Sequence, residues 1–424
     1  MTSSERYAPE APGPNAYGRY WLQILIVALL AAPGPVLRTL QLTGLPHPHL
    51  EPWAESIVFG ASIFAAATLL VWGSEVAERM ISAALALAIL AIIAVLPEYA
   101  VDIYFAWTAP DNPANAEFAL ANMTGANRLL IGLAWPAVFF LFYLRTRKRN
   151  LAVGRQNALG LVFLGAATIY SFSIPIRSHL SLIDSGVLIS IFLVYLYLSS
   201  RSPPSEHELV GPALAIDALP GRWRWTAVIA IFAYAAGTVF AAAEPFAEGL
   251  VHSGEALGVD EFLLVQWVAP LASEAPEFIL AAFLAMRGRA AAGMTLLISS
   301  KVNQWTLLVG SLPMAYSISG QTLSPLPMES RQAHEVFLTA GQSLFAVAVL
   351  TSLSFSIVEA TLIFALFSMQ FAIPIDAVRF AFGVVYCVLA LVWFALERRD
   401  IAPLLRSARS AMSPPTGRSP PGGT

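Results

Sequence analysis

The stretch from about Val265 to Gly310 decides the fold, because it places charged residues inside apolar segments. Its first segment contains Ala272-Ser273-Glu274-Ala275-Pro276-Glu277, and its second carries Lys301 and Asn303. An ionisable group at membrane depth costs roughly 2.5–3.5 kcal/mol on insertion scales. Since proline has no N–H, Pro276 frees the carbonyl of the residue four positions earlier. The pattern predicts an oxygen-lined cation site within a membrane helix.

The same pattern occurs once earlier in the chain, around Leu96-Pro97-Glu98-Tyr99. Three pairs of positions match in the same order: Pro97-Glu98 with Pro276-Glu277, Asn127 with Asn303, and Ser181–Asp184 with Ser356–Glu359. Their offsets are 179, 176 and 175 residues, so the small differences fall in the connecting loops. The three colinear matches predict a duplicated membrane unit.

The composition is that of a membrane protein. The chain is 57% hydrophobic and 12% charged, with a mean hydropathy of +0.67. Many apolar runs approach the ~20 residues needed to cross a bilayer. The single cysteine, Cys387, excludes an intramolecular disulfide. The polar start of the chain, 1–18, lacks the basic region of a cleaved signal peptide.

We predict an all-α polytopic fold of twelve spans: 20–42, 54–78, 80–107, 116–144, 157–175, 181–199, 225–250, 260–286, 291–316, 333–352, 355–372 and 374–396. The first and last spans have no counterpart in the duplication. The predicted units are a cytoplasmic tail (1–19), an extra helix and loop (20–53), a first repeat (54–199), a cytoplasmic linker (200–224), a second repeat (225–372), an extra C-terminal helix (373–397) and a disordered cytoplasmic tail (398–424).

Loop charges predict the orientation in the membrane. One set of loops is rich in basic residues, among them Arg145, Arg147, Lys148, Arg149, Arg155, Arg222, Arg224, Arg287 and Arg289. The opposite loops offer little beyond Arg177 and Arg331. By the positive-inside rule, both termini are cytoplasmic and the protein is integral to the cell (plasma or inner) membrane. A unit of five spans then makes the two copies inverted repeats.

Oxygen-bearing side chains gather at matching places in the two repeats. Hard cations such as Ca²⁺ and Na⁺ bind carboxylate, amide and carbonyl oxygens. We expect Glu98 and Glu277 to be the metal ligands; the other cation-binding candidates are Asn122, Asn127, Ser273 and Asn303. The alternative is that these polar residues only hold helices together.

At these residues the chain resembles the calcium/cation antiporter superfamily, the sodium/calcium exchangers and their relatives. The resemblance rests on the two Pro-Glu pairs, the Gly125-Ala126-Asn127 segment and the five-plus-five arrangement, and it covers roughly residues 54–372. It implies exchange of Ca²⁺ against Na⁺ or H⁺ by alternating access. It also implies Glu98 and Glu277 as principal carboxylates, with the four polar candidates at secondary positions.

The chain departs from the family pattern at several positions. Ala94-Val95 replace two hydroxyl residues, Glu274 stands where serine is expected, and Lys301 stands where glycine is expected. We hypothesise that Glu274 and Lys301 form an ion pair in place of one cation; the alternative is that Lys301 snorkels and Glu274 is a third ligand. Asp102, one turn after Glu98, is either a proton acceptor or, as we favour, exposed at the outer end of its helix.

Other functional classes lack their motifs. His334-Glu335 has no second histidine four residues on, so no zinc-protease motif forms, and no Walker A loop is present. We therefore expect no enzyme activity, no cofactor besides the transported cation (Ca²⁺ or Na⁺), and no nucleic-acid partner; the expected partners are inorganic cations and the lipid bilayer. The alternatives are monovalent cation/proton exchange and a non-transporting protein of the same fold.

Overall fold

The computed structural model describes residues 14–80, 96–201, 209, 211–373 and 375–412. Ala94-Val95 and much of the third predicted span lie outside these residues. The first half contains α1 (Pro14–Ala31), α2 (Pro33–Thr43), α3 (Pro52–Met80), α4 (Leu96–Thr108), α5 (Ala114–Leu129), α6 (Trp135–Thr146), α7 (Ala158–Ser171), α8 (Ser173–Arg177) and α9 (Leu182–Ser199).

The second half repeats this order after a short linker helix. It contains α10 (Ala213–Asp217), α11 (Gly221–Leu257), α12 (Glu261–Met286), α13 (Ala290–Asn303), α14 (Val309–Ser319), α15 (Ser330–Val349), α16 (Ile357–Ala372), α17 (Asp376–Leu396) and α18 (Arg398–Met412). Two 3₁₀ turns, Arg155–Asn157 and Leu350–Ser352, complete the helical part.

The polytopic helical fold predicted from composition is confirmed. Nine helices in the described ranges are long and apolar enough to cross a membrane. The other three predicted spans correspond to Leu96–Thr108, whose preceding residues are not described, to the helical run 290–319, and to the shorter apolar helix Ile357–Ala372. Each predicted span therefore holds a helix in its described part.

Two short antiparallel ladders join the halves and show how they are related. The strands are β1 (Asn150–Ala152) with β4 (Ser354–Ser356), and β2 (His179–Leu180) with β3 (Leu326–Pro327). In the first ladder Leu151 faces Phe355, and in the second Leu180 faces Leu326. A shift of 175 residues converts one pair into the other, so each ladder takes one strand from each repeat.

The ladders also establish that the repeats are inverted. Helix α7 separates β1 from β2, and helix α15 separates β3 from β4, so the two ladders lie at opposite ends of the bundle. The equivalent strands β1 and β3 therefore lie at opposite ends as well. Antiparallel orientation of the two units in the membrane follows, as predicted.

Two further local features recur in both repeats. Ser181 with Asp184, and Ser356 with Glu359, each form a reciprocal capping box at the start of α9 and α16. In each box the side chains satisfy backbone N–H groups that the first helical turn leaves without partners. The third sequence match between the repeats thus corresponds to two equivalent helix starts.

Some details of the predicted units differ from the structure. The first predicted span, 20–42, lies within the candidate membrane span Tyr17–Thr43, which is divided into two helices because Pro33 begins α2. The predicted linker contains the short helix α10, and Asp217 at its end pairs with Arg79 at 3.3 Å and Arg224 at 3.0 Å. The tail predicted to be disordered from 398 forms helix α18 as far as Met412, which packs against α7. Its apolar residues lie on one face, which buries Leu404 and Ala408.

The packing brings the central helices of the two repeats together. Helix α5 packs against α4 and α12, and α12 packs against α13. Under the repeat symmetry, the contact of α4 with α14 is equivalent to that of α12 with α6. The first helices of the repeats, α3 and α11, pack along each other, and the extra helix α17 packs along α15. The motif-bearing helices α4, α5, α12 and α13 therefore meet inside the bundle.

Candidate functional site

Four carboxylates from both repeats form one buried cluster. Glu98 and Asp102 lie on α4, and Glu274 and Glu277 lie on α12. Their residues are between 0% and 7% exposed, and Glu98 is close enough to the other three for charge repulsion. Both oxygens of Asp102 and of Glu274, and one each of Glu98 and Glu277, are buried without a hydrogen-bond partner among the described residues.

Three polar side chains from the neighbouring helices face this cluster. Asn122 of α5 lies beside Asp102, and Ser300 of α13 lies beside Glu277. Gln304, directly after α13, faces both Glu98 and Glu274 and so joins the repeats. We did not single out Ser300 or Gln304 in the sequence, although both lie next to the Lys301–Asn303 segment.

Asp102 occupies a different place from the one we favoured. The expectation of an exposed side chain at the helix end is wrong, because Asp102 is 0% exposed. Helix α4 continues to Thr108, so Asp102 lies in its middle, one turn beyond Glu98 on the same face. Its counterpart in the second repeat is Ala281, so Asp102 has no acidic equivalent there.

Two prolines lie within α12 and explain two features of the site. The helix continues through Pro270 and Pro276, each of which lacks the N–H that would bond to the carbonyl four residues earlier. Pro276 frees the carbonyl of Ala272, as predicted. Pro270 frees the carbonyl of Gln266, and that oxygen lies against Gly125 so closely that a Cβ there would overlap it. Gly125 therefore allows α5 and α12 to cross at the site.

A π-helical turn follows the matching asparagine in each repeat. The turn Leu130–Ala134 lies shortly after Asn127, and Gln304–Leu308 directly follows Asn303. Wider turns of this kind are rare and are often found at functional sites. Both asparagines are buried, and their position before a wide turn is equivalent in the two repeats.

The predicted ion pair between Glu274 and Lys301 does not form. The Lys301 ammonium, which is fully buried, instead donates to Asn127 Oδ1 at 2.6 Å and to the Asn127 carbonyl at 3.4 Å. It also lies 4.6 Å from the centre of the Trp305 ring. The side chain extends across the interface to α5, where two oxygens meet the ammonium, and Glu274 attracts it only from a longer distance.

The remaining predicted ligands are buried at the site but are bonded to protein groups. Ser273 Oγ donates to the carbonyls of Ala269 and Pro270, each at 3.3 Å. Asn303 Oδ1 accepts a hydrogen bond from the Tyr99 hydroxyl at 3.0 Å, and Asn127 Nδ2 donates to the Met123 carbonyl at 2.8 Å.

A second buried charge network adjoins the site, and we did not predict it. Arg128, next to Asn127, pairs with Glu335 of α15 at 2.7 Å and lies 4.8 Å from the centre of the Trp267 ring. Arg379 of the extra helix α17 pairs with the other oxygen of Glu335. All three charged side chains are at most 2% exposed. We refer to Arg128, Glu335 and Arg379 as the charge triad.

Further hydrogen bonds connect the charge triad to the site helices. Arg379 donates to Gln266 Oε1 at 3.4 Å, and Gln266 Nε2 donates to Thr124 Oγ1 at 3.4 Å. Gln342 donates to the Arg128 carbonyl at 3.4 Å. Helices α5, α12, α15 and α17 are thus linked by polar contacts at one place.

The carboxylates of the cluster do not by themselves form a complete metal site. In the described ranges, no three His, Cys, Asp or Glu side chains converge on one point as metal ligands. Amide, hydroxyl and carbonyl oxygens therefore have to complete any cation shell around Glu98 and Glu277. Such mixed oxygen donors are those that Ca²⁺ prefers.

Comparisons with known proteins agree with this geometry. A family model described as sodium/calcium exchanger protein matches residues 52–201 and 227–397, one copy on each repeat. A solved structure of the H⁺/Ca²⁺ exchanger CAX is 38% identical with a TM-score of 0.88, and the match covers 93% of this chain and 99% of that one. A comparison with curated protein sequences gives no significant match.

Two more distant structures share the fold. Native YfkE is 16% identical with a TM-score of 0.60 over 82% of this chain and 98% of its own. The sodium-calcium exchanger NCX_Mj is 19% identical with a TM-score of 0.50 over 76% and 97%. Together with the family match over both inverted repeats, these findings identify the chain as a member of the sodium/calcium exchanger family of membrane cation antiporters.

Proposed function

We propose that this antiporter exchanges Ca²⁺ for H⁺ by alternating access at the carboxylate cluster. The observation that carries the proposal is the burial of Glu98, Asp102, Glu274 and Glu277 together where the two repeats meet. CAX, the relative at 38% identity, is named as an H⁺/Ca²⁺ exchanger. Glu98 and Glu277 are the principal cation ligands in this proposal.

The oxygens near the two principal carboxylates suit Ca²⁺. This cation takes about 6–8 oxygen ligands in a flexible arrangement. Asn122, beside Asp102, and the freed carbonyl of Ala272 can supply neutral oxygens, and Ser273, Asn127 and Asn303 are buried on the same site helices. Water can complete a shell of this kind.

The exchange follows from the cost of burying charge. Several ionised carboxylates in one dry cluster repel each other and lose hydration, so they need a cation or protons to compensate them. A bound Ca²⁺ and bound protons compensate the same carboxylates and therefore compete. Asp102, adjacent to Glu98 and without a described hydrogen-bond partner, is the proposed additional proton acceptor. The transporter therefore changes its access only when Ca²⁺ or protons occupy the carboxylate cluster. Without them, burying the uncompensated negative charges costs too much free energy.

The proposed location is the cell (plasma or inner) membrane with both termini cytoplasmic. Basic residues concentrate at the end that carries the β1–β4 ladder, including Arg145, Arg147, Lys148 and Arg149. Only isolated arginines, Arg177 and Arg331, flank the opposite ladder. The positive-inside rule then assigns the basic end to the cytoplasm.

Flux measurements in proteoliposomes test the proposal. We would measure ⁴⁵Ca²⁺ uptake driven by a pH gradient and, separately, by an outward Na⁺ gradient. The pH gradient is expected to drive uptake in wild type, while Glu98→Gln and Glu277→Gln abolish it and Glu255→Gln, at an exposed carboxylate, does not. Uptake driven only by Na⁺ would favour sodium coupling. Movement of Na⁺ or H⁺ without Ca²⁺ would indicate a monovalent cation exchanger. Absence of any cation flux would indicate a non-transporting protein of the same fold.

A further inference from the structure

The two equivalent asparagines present their amide oxygens to donors from the opposite repeat. Asn127 Oδ1, in the first repeat, accepts from Lys301 at 2.6 Å. Asn303 Oδ1, in the second repeat, accepts from the Tyr99 hydroxyl at 3.0 Å. The two asparagines occupy equivalent positions in the two repeats. Each amide oxygen is of the type that binds hard cations.

The two donors are not themselves related by the repeat symmetry. At the 176-residue offset the counterpart of Lys301 is Gly125, and at the 179-residue offset the counterpart of Tyr99 is Phe278. Each repeat therefore supplies a different donor to the oxygen of the other. The fold alone does not require either contact, since neither donor has a polar equivalent in the other repeat.

The ammonium of Lys301 is enclosed by oxygen atoms and an aromatic ring. It contacts two oxygens of Asn127 and the face of the Trp305 ring, and it is 0% exposed. Two oxygen contacts and an aromatic face are a typical environment for a bound cation. Glu274 attracts the ammonium and Arg128 repels it.

We propose that Lys301 is a tethered cation that fills the Asn127 position, while the Tyr99 hydroxyl fills the Asn303 position. A single transported cation then binds at Glu98 and Glu277, and Na⁺ finds no oxygen site beside it. Lys301 is thus the specificity-determining residue against Na⁺. The inference rests on the proposed Ca²⁺/H⁺ exchange and adds the number of cations carried and the reason that Na⁺ is excluded.

Competition binding tests the inference on the purified full-length protein. ⁴⁵Ca²⁺ binding would be measured with and without Na⁺, at constant ionic strength, for wild type, Lys301→Met and Lys148→Met. The chain has only these two lysines, and the exposed Lys148 is the matched control. Na⁺ is expected to leave the half-saturating Ca²⁺ concentration of wild type and of the control unchanged. In Lys301→Met, Na⁺ is expected to shift the half-saturating Ca²⁺ concentration by about tenfold, because the fixed positive charge is gone.

Several outcomes overturn the inference without touching the proposed function. Na⁺ competition in wild type would show an open sodium site, and this result needs no variant. A folded Lys301→Met protein that binds Ca²⁺ but still ignores Na⁺ would show that Lys301 does not exclude Na⁺. If Lys301→Met elutes as an aggregate, Tyr99→Phe provides the second variant. It removes the hydroxyl donor from Asn303 Oδ1, and Ca²⁺ binding that remains insensitive to Na⁺ in this variant counts against the proposal. Failure of wild type to bind Ca²⁺ at all would instead refute the proposed function.

Discussion

Replacing Glu335 by glutamine should destabilise the protein more than any other single change in the charge triad. The triad holds two guanidinium groups and one carboxylate, so its charge is already positive by one unit. Glu335→Gln strands both arginines in a region where they are at most 2% exposed. Arg379→Gln, in contrast, leaves Arg128 and Glu335 as a matched pair at 2.7 Å.

These charges set the expected magnitudes. Removing one partner of a buried ion pair costs about 3–5 kcal/mol, and two stranded cations place Glu335→Gln near the upper end. Arg379→Gln loses hydrogen bonds to a charged group, which costs about 1–3 kcal/mol. Arg128→Gln should fall between them, because it also loses the contact with the Trp267 ring, which contributes about 0.5–2 kcal/mol.

The free energy of unfolding can be measured for all three variants in mixed detergent micelles with increasing dodecyl sulfate. The ranking Glu335→Gln, Arg128→Gln, Arg379→Gln is the expected result, with at least about 2 kcal/mol between first and last. A folded Glu335→Gln protein as stable as wild type, or less affected than Arg379→Gln, would refute the reasoning.

Two further changes test other parts of the fold. Gly125→Ala should lower the free energy of unfolding by about 1–3 kcal/mol or more and reduce Ca²⁺ uptake, because its Cβ would overlap the Gln266 carbonyl and push α5 from α12. Gly186→Ala, whose Cβ meets nothing within 4 Å, is the control. Equal melting temperatures for the two variants would contradict the close crossing. Burial, and then the charge of Glu359, raise the pKa of Glu397 from 4.5 to about 7. The folded state therefore favours the protonated form, so this stability contribution is present at low pH and is lost as the pH rises towards 7. Glu397→Gln should show a melting temperature that falls less than that of wild type between these pH values, and an unchanged pH profile would exclude this role.

The features predicted best from the sequence are those that depend on a single residue type standing out from its surroundings. Pro97-Glu98 and Pro276-Glu277 are visible because carboxylates and prolines are rare in apolar spans. Their recurrence in order predicted the duplication, and the five spans in each unit predicted that the two copies are inverted. The crossing at Gly125 was not predicted, because it depends on which carbonyl Pro270 frees and where that oxygen points.

Side-chain partners were the least predictable part of the site. Lys301 had an obvious acidic candidate in Glu274, yet the geometry across the repeat interface brings it to the amide oxygen of Asn127. The partners in the charge triad come from three helices far apart in sequence, and one of them, Arg379, lies outside the duplicated unit. Asp102 was expected at a water-exposed end of its helix, but α4 continues for six residues beyond it.

The crossed ladders restrict how the two ends of the bundle can open in turn. Each ladder ties a loop of one repeat to a loop of the other, at both ends, so helices α7, α9, α15 and α16 are fastened into one frame. Helices α3 and α11 carry no strand of either ladder and pack along each other. A change of access that keeps both ladders intact has to move this pair of helices against the frame.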